Sequence, residues 1–330
     1  MAGRMKKKDR LLEDVFRYRR AVVLLSAAKC GLFDYLIQNT AITQEDTARH
    51  FGWEQRGTEI LLNTLCALGY LEKKDERYRI SSGFKDIFSR QKFPLLKEWL
   101  HHEWRLLNRW VYLPQVLETG KPYREPQKKT VHRNHRNFIL SMAHREKENL
   151  SIFLKRINLD GHLHLIDLGG GPGLFAVALA EKYPRLKATV FDTPETRPLA
   201  QQFFRQSLAK SRLQFKGGNF LSDRIGKGYD AALLSSVLHI YSPQENQELL
   251  RKIYLALSPH SQLIIRDFLL NPQKTGPLIG MLFAVNMLIN TDGGNAYTFN
   301  EIKSWLQKAG FKDIERKPLE GRMILIKARK

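Results

Sequence analysis

Between residues 9 and 90 the apolar positions recur at helical spacing. Val22, Leu25, Ala28, Leu32 and Leu36 mark one helix face, and Gly31 inside that run marks a break. Thr43-Gln-Glu-Asp sets a capping hydroxyl ahead of an acidic first turn, and a second helix is expected over about 57–68. The stretch GYLEKKDERYRIS then alternates around Lys74-Asp75-Glu76, which predicts a short hairpin after a helix-turn-helix, the arrangement of a winged helix. Long amphipathic runs follow at 96–116, with Trp99, Trp104 and Trp110, and at 138–154. The polar segment between them holds six Lys or Arg against one Glu from Lys121 to Arg136, and its reading is an exposed loop over 120–136.

From residue 161 the pattern changes to strands alternating with helices. Strands are expected at about 163–168, 187–191, 212–216, 230–236, 261–268, 312–317 and 322–327, with helices at 174–182, 194–210, 243–257 and 299–309. Alternation of this kind predicts an α/β, Rossmann-like domain with a seven-stranded, mainly parallel sheet. The last two strands have no helix between them and should close one edge as an antiparallel hairpin. The expected organisation is therefore a helical winged-helix domain over 1–90, a helical connector over 91–160 and an α/β domain over 161–330.

A chain of 330 residues is long enough for two domains. With 43% hydrophobic residues, 22 Gly and 13 Pro, its composition excludes collagen-like and low-complexity classes. Cys30 and Cys66 lie in apolar helical patterns without metal-ligand spacing, which predicts two core thiols, no disulfide and no metal site. No apolar run of signal-peptide or membrane-span type occurs, so the expected compartment is the cytoplasm. The net charge of +21 admits nucleic acid, an anionic substrate or an acidic partner surface and does not choose among them.

The segment HLHLIDLGGGPGLFAVALA runs an apolar strand into Gly169-Gly170-Gly171-Pro172-Gly173 and then into a helix. Glycines let the backbone turn tightly against a ligand, and the helix start offers free N–H groups. Asp192 ends the next strand 23 residues beyond Gly169, where a carboxylate can accept from a ribose diol. A dinucleotide fingerprint that begins at Gly169 and Gly171 requires glycine at position 174, which is Leu174. Asp167 stands just before the loop; its charge would repel a pyrophosphate and attract a cationic methionine moiety. These features favour S-adenosylmethionine over NAD.

With LIDLGGGPG, VFDTPE, GGNF at 217–220, DAALLSSVLHIY at 230–241 and NMLINTDGGNAYTFNEIKSWLQKAGF at 286–311, the chain resembles the class I adenosylmethionine-dependent methyltransferases. The similarity extends to the small-molecule O-methyltransferases that carry an N-terminal winged-helix dimerisation domain, and it spans essentially the whole chain. It implies cofactor contacts at Gly169 in the glycine loop, Asp192 at the ribose, Asn219 and Phe220 at the adenine and Ser235 toward the sulfonium. Plant members have Asp at the position of Asn219 and often Lys at that of Ser235.

The resemblance also implies that His239 is the base. A phenol has a pKa of about 10, and an imidazole of about 6.5 is a suitable acceptor for its proton. In plant members the histidine is followed by Asp and oriented by a Glu; here those positions hold Ile240 and Ala296, and Asp267 or Tyr241 could stand in. An acceptor that is already ionised, or an activated carbon, would need no strong base. Phe138 and Met142, with Asn286, Met287 and Asn290, match positions that face the acceptor, a lining suited to a flat, mostly apolar molecule. Trp104 and Trp110 are read as core packing.

The implied activity is methylation of a hydroxyl on a small aromatic or polyketide-like acceptor by a homodimer. The alternatives are C-methylation of a larger planar ring, other chemistry around the same cofactor, and a DNA-binding regulator. The candidate recognition helix presents Arg56 as its one cation beside Glu59, Asn63 and Thr64, which argues against groove reading.

Overall fold

The computed structural model describes residues 7–89, 91, 96–124, 131–319 and 323–330; the side chains of residues 131–135, 137, 138, 144, 145, 147 and 148 lie outside the description. Two compact units divide between Asn108 and Arg109.

The first unit begins with α1 (Lys7–Cys30) and α2 (Leu32–Gln38), separated by Gly31 in the left-handed conformation. Helices α3 (Gln44–Phe51) and α4 (Gln55–Ala67) follow. Thr43 caps α3 by accepting from the Asp46 N–H, as its position predicts. Strands β1 (Leu71–Lys74) and β2 (Arg77–Ile80) pair antiparallel around Asp75 and Glu76, both at positive φ. After α5 (Lys85–Phe88) comes α6 (Leu96–Trp110). The core joins Leu25, Leu32, Phe33 and Leu36 to Leu62, Leu65, Tyr78 and Phe88, and Leu96 and Leu100 of α6 complete it. Cys30, expected in the core, is exposed at the end of α1, where the helix turns away at Gly31; Cys66 is half-buried.

The second unit carries α7 (Leu113–Thr119) and α8 (Val131–Arg156) ahead of the sheet. Two expectations are corrected here. The 96–116 run breaks into α6 and α7 with Pro114 in the first turn of α7, and the segment expected as a loop over 120–136 is already helical from Val131. A proline fits a helix start and not its interior.

The sheet comprises β3 (His164–Leu168), β4 (Lys187–Asp192), β5 (Leu213–Gly217), β6 (Tyr229–Ser235) and β7 (Leu257–Asp267), all parallel, followed later by β10 (Lys312–Pro318) and β11 (Ile324–Arg329). Helices α9 (Leu174–Lys182), α10 (Arg197–Gln206) and α11 (Pro243–Ala256) connect the parallel strands. Beyond β7 lie β8 (Leu269–Leu270), α12 (Leu278–Asn290), β9 (Tyr297–Thr298) and α13 (Phe299–Ala309). The order β10-β11-β7-β6-β3-β4-β5 puts the antiparallel hairpin at one edge, as expected. The helix expected over 194–210 is shorter, a 3₁₀ turn at Pro194–Thr196 leading into α10 and another at Lys210–Arg212.

Both faces of the sheet are covered, so its strands read as continuous apolar runs such as Ala231–Leu234. Ile166, Leu234 and Ile265 meet α11 and α13, whereas Leu165, Leu233 and Ile264 meet α8, α9 and α10. Capping boxes Ser242–Glu245 and Thr298–Glu301 fix the starts of α11 and α13, each contributing about 1 kcal/mol. Chain order reverses beside β3, which pairs with both β4 and β6. In open α/β sheets, ligands bind outside the carboxyl ends of the strands at such a switch point.

Several cations close carbonyl ends of the fold. Lys182 donates to Leu154 and Ile157, Arg212 to Tyr183 and Leu186, Lys252 to Phe220, Leu221 and Asp223, and Lys330 to Tyr254 and Leu257. Part of the +21 charge therefore has a structural use. Among the described residues no single helix is long and apolar enough to cross a membrane.

Candidate active site

The glycine loop leaves β3 at that switch point. Gly169 has φ +69°, and a Cβ there would lie 2.7 Å from Val237 Cγ2; a Cβ on Gly170 would lie 2.5 Å from Asp167 Oδ2. Glycine is therefore required by both conformation and space at position 169 and by space at 170. Asp192, half-buried at the end of β4, reaches across: Oδ2 accepts the Gly171 N–H at 2.8 Å and Oδ1 accepts the Thr193 N–H at 2.7 Å. Oδ1 also accepts from the Thr196 hydroxyl at 3.2 Å, so Oδ2 is the oxygen that keeps a lone pair for a further donor.

Asp167 is wholly buried beneath the loop. Burial, reinforced by the Asp192 carboxylate and opposed by the Ala176 N–H, pushes its carboxyl up to about 7. Phe220 stands edge-on to Phe191 and Tyr241, with ring centroids 5.9 Å apart in both pairs, and an added Cβ on Gly169 would come within 3.8 Å of its ring. Asn219 is exposed, and its Oδ1 accepts the Leu221 N–H, so its amide N–H₂ group is the end left for a ligand.

His239 sits in a 3₁₀ turn after β6. Ser236 enters that turn at φ +60°, a strained conformation of the kind that clusters at functional sites. Asn246 of α11 clamps the turn by donating to the Leu238 and Tyr241 carbonyls. The buried imidazole places Nδ1 2.6 Å from Oδ1 of Asp267, the last residue of β7, and Oδ1 also accepts the Phe268 N–H. A carboxylate only accepts, so Nδ1 carries a proton, and Nε2 is the nitrogen that accepts when the ring is neutral. Phe283 of α12 packs edge-on to the imidazole at 4.7 Å. Gly294 presses so close to the turn's backbone that an added Cβ would lie 2.4 Å from the His239 carbonyl oxygen. Of the two candidate stand-ins for the missing partners, Asp267 makes the contact. The Tyr241 phenol is pushed up to about 12 by burial, with Asp192 and Glu245 adding to the effect, and stays protonated.

Ser235, at the end of β6, accepts from Arg266 at 3.2 Å. Arg266 and Asp267 are adjacent on β7 and point to opposite faces of the sheet. Met142 on α8 is half-buried, and the Phe138 side chain lies outside the described residues. On α12, Met287 is buried while Asn286 and Asn290 are half-buried and joined: Asn290 Nδ2 donates to Asn286 Oδ1 at 3.1 Å. Arg109 donates to Asn290 Oδ1, and the Trp110 indole, expected as plain core, donates to Asn286 Oδ1 at 3.2 Å. The sequence reading missed Arg266, Asn246, Phe283 and Arg109, because none stands in a recognisable motif. Among the described residues no cluster of His, Cys, Asp or Glu could hold a metal ion.

The chain is similar to known proteins over most of its length. A 3-hydroxy-5-methyl-1-naphthoate 3-O-methyltransferase of Streptomyces sahachiroi is 28% identical over 301 residues, covering 88% of this chain and 86% of that one. An L-tyrosine C(3)-methyltransferase of Streptomyces lavendulae is 26% identical over 311 residues, covering 87% and 82%. The crystal structure of human N-acetylserotonin methyltransferase in complex with SAM superposes with a TM-score of 0.84 at 25% identity, covering 100% of this chain and 99% of that one. A family model, the O-methyltransferase domain, matches residues 119–312, more than half of the protein, and the chain belongs to that family.

Proposed function

We propose that this protein transfers a methyl group from S-adenosylmethionine to a hydroxyl of a small aromatic or polyketide-like acceptor. The observation that carries this reading is the pairing of two features at the carboxyl ends of neighbouring strands: the glycine loop tied to Asp192, and His239 held on Asp267. Gly171, at φ +57° with nothing closer than 3.8 Å to an added Cβ, leaves the loop backbone open to a close-lying ligand, and Asp192 Oδ2 keeps a lone pair, so these residues fit the cofactor. Gly169, Gly171 and Asp192 would hold its loop and ribose side, and Asn219 and Phe220 its adenine. Ser235 and the buried Asp167 lie toward the methionine end. When bound, the cofactor supplies a methyl group on a sulfonium.

His239 takes the acceptor's proton on Nε2, and the Asp267 carboxylate stabilises the imidazolium that results. Phe283 excludes water from one side of the imidazole. Phe138, Met142, Asn286, Met287 and Asn290 are assigned to the acceptor. The naphthoate methylated by one relative supports a flat bicyclic phenol as the acceptor class. C-methylation is the second reading, favoured by the tyrosine C(3) relative: a ring carbon beside a hydroxyl is activated by the same deprotonation, so the His239–Asp267 pair serves either outcome.

The first unit, with its α3–α4 pair and β1–β2 hairpin, is assigned as a winged helix used for homodimerisation. Leu11, Leu12, Val15, Phe16 and Tyr18 of α1 are exposed, an apolar run that a second copy would cover. The outer face of α4 shows Gln55, Arg56, Glu59, Ile60 and Asn63, a surface with one cation offset by one carboxylate, too few for a DNA backbone. Thermal-shift measurements with S-adenosylmethionine, its demethylated product and NAD, followed by a panel of phenols and hydroxynaphthoates read by mass spectrometry, test the reading. Stabilisation by NAD and by neither sulfur compound would overturn it.

A further inference from the structure

Arg266 is the largest fully buried side chain described, and the mechanism above makes no use of it. Its guanidinium lies over the Phe175 ring at 5.2 Å, donates through Nη1 to Ser235 Oγ and through Nη2 to Glu146 of α8. Nε, also buried, has no acceptor among the described residues. A buried ion pair is weak evidence for stability, because desolvating two charges offsets most of their attraction and an apolar pair of the same volume often does as well. The placement of this pair therefore calls for a reason other than stability.

The position of α8 supplies one. Ile139 packs over the glycine loop, 3.8 Å from where a Cβ on Gly171 would stand. Met142, assigned to the acceptor, lies three residues further along, and Glu146 four residues beyond that, so the three fall along one side of the helix. One helix thus touches the loop that cradles the cofactor, carries an acceptor contact and ends this stretch in a carboxylate gripped by Arg266. Arg266 in turn holds Ser235, the cofactor contact at the end of β6, through its other nitrogen.

We propose that Glu146 and Arg266 are positioning residues: the pair ties α8 to Ser235, so that an occupied cofactor site orders the helix that covers the acceptor. The proposal rests on the cofactor reading above. Cofactor atoms packed against Ser235 and the glycine loop restrict Arg266, Arg266 restricts Glu146, and α8 loses freedom before the acceptor arrives. Both ligands then share one ordering cost, which makes their binding interdependent.

The test is hydrogen exchange on the full-length protein with and without S-adenosylhomocysteine. In the wild type the ligand should slow exchange of both 168–176 and 139–150, the latter by about fivefold or more, as expected when local opening is suppressed. Glu146→Gln keeps the size of the side chain and removes its charge. It should retain ligand-dependent protection of the loop and lose most of that in α8, with ligand affinity changed less than about tenfold. Arg266→Met should behave in the same way, and Arg266→Lys, which keeps one charged donor, should fall between. Because Glu146 is partly exposed, its variant keeps the test decisive even if the Arg266 variants misfold. Equal α8 protection in wild type and Glu146→Gln overturns the proposal, as does a wild-type α8 that ignores a ligand bound at the loop. A wild type that does not bind S-adenosylhomocysteine at all would overturn the cofactor reading as well.

Discussion

His239, in the turn after β6, and Asp267, at the end of the adjacent parallel strand β7, are both buried and meet with Nδ1 2.6 Å from Oδ1. The contact fixes which nitrogen carries the proton and leaves Nε2 to accept another. His239→Gln keeps a polar side chain and cannot take a proton, so turnover should fall about 10²- to 10⁴-fold. Asp267→Asn leaves the ring in place with its tautomer no longer enforced and should cost less, about 10- to 10²-fold. Cofactor affinity should be unchanged in both, as calorimetry would show. A loss under about fivefold in His239→Gln, with an unaltered pH profile, would remove the residue from the mechanism and leave positioning as the explanation.

Asp192→Ala removes a charged acceptor from the ribose position together with the Gly171 and Thr193 N–H contacts. S-adenosylmethionine binding should weaken by about 1.5 to 3 kcal/mol, the usual size for hydrogen bonds to an ionised group. Isothermal calorimetry reads it directly, and an affinity within twofold of wild type would take Asp192 out of the cofactor site.

Replacing Leu12 and Phe16 together by Glu places charge in the exposed apolar run of α1 without touching the buried core of the first unit. A dimer that buries this run should become a monomer of normal thermal stability by light scattering and melting. If the double variant stays dimeric, the interface lies elsewhere.

The strand-turn-helix of the glycine loop, the seven strands and the terminal hairpin were legible in the sequence because each has a local cause: apolar runs, glycines, capping residues. His239 was legible from its place in a motif. Its partner was legible only as one of two candidates, Asp267 or Tyr241, since Asp267 lies 28 residues away and the pairing follows from strand order. Arg266 was hidden for the opposite reason. Alternation along β7 sends Arg266 and Asp267 to opposite faces, and a charged residue within an apolar strand gives no sign of which helix will neutralise it. The loop expectation over 120–136 holds for 120–124 and fails from Val131, where charge was read as absence of structure although a cationic helix is as easily solvated as a cationic loop.

Asp167 ties both stability and ligand binding to pH. Its folded carboxyl is raised to about 7 from an ordinary 3.8, chiefly by burial. The folded state therefore holds a proton that the unfolded chain has already lost between about pH 4 and 7, so this group's contribution to stability is complete below pH 4 and is lost as pH rises through 7. Asp167→Asn, which never ionises, should flatten that part of the stability curve and gain stability relative to wild type at pH 8, by at most about 4 kcal/mol. Ligand binding should run the other way. If Asp167 serves the cationic methionine moiety, S-adenosylhomocysteine, which keeps the ammonium group, should bind wild type more tightly as pH rises from 6 to 8, because the ligand favours the ionised carboxylate. Asp167→Asn should show a flat affinity over the same range. Denaturant melts and calorimetry at three pH values separate the two effects, and a wild-type affinity that does not change with pH would leave Asp167 as a buried support of the loop and nothing more.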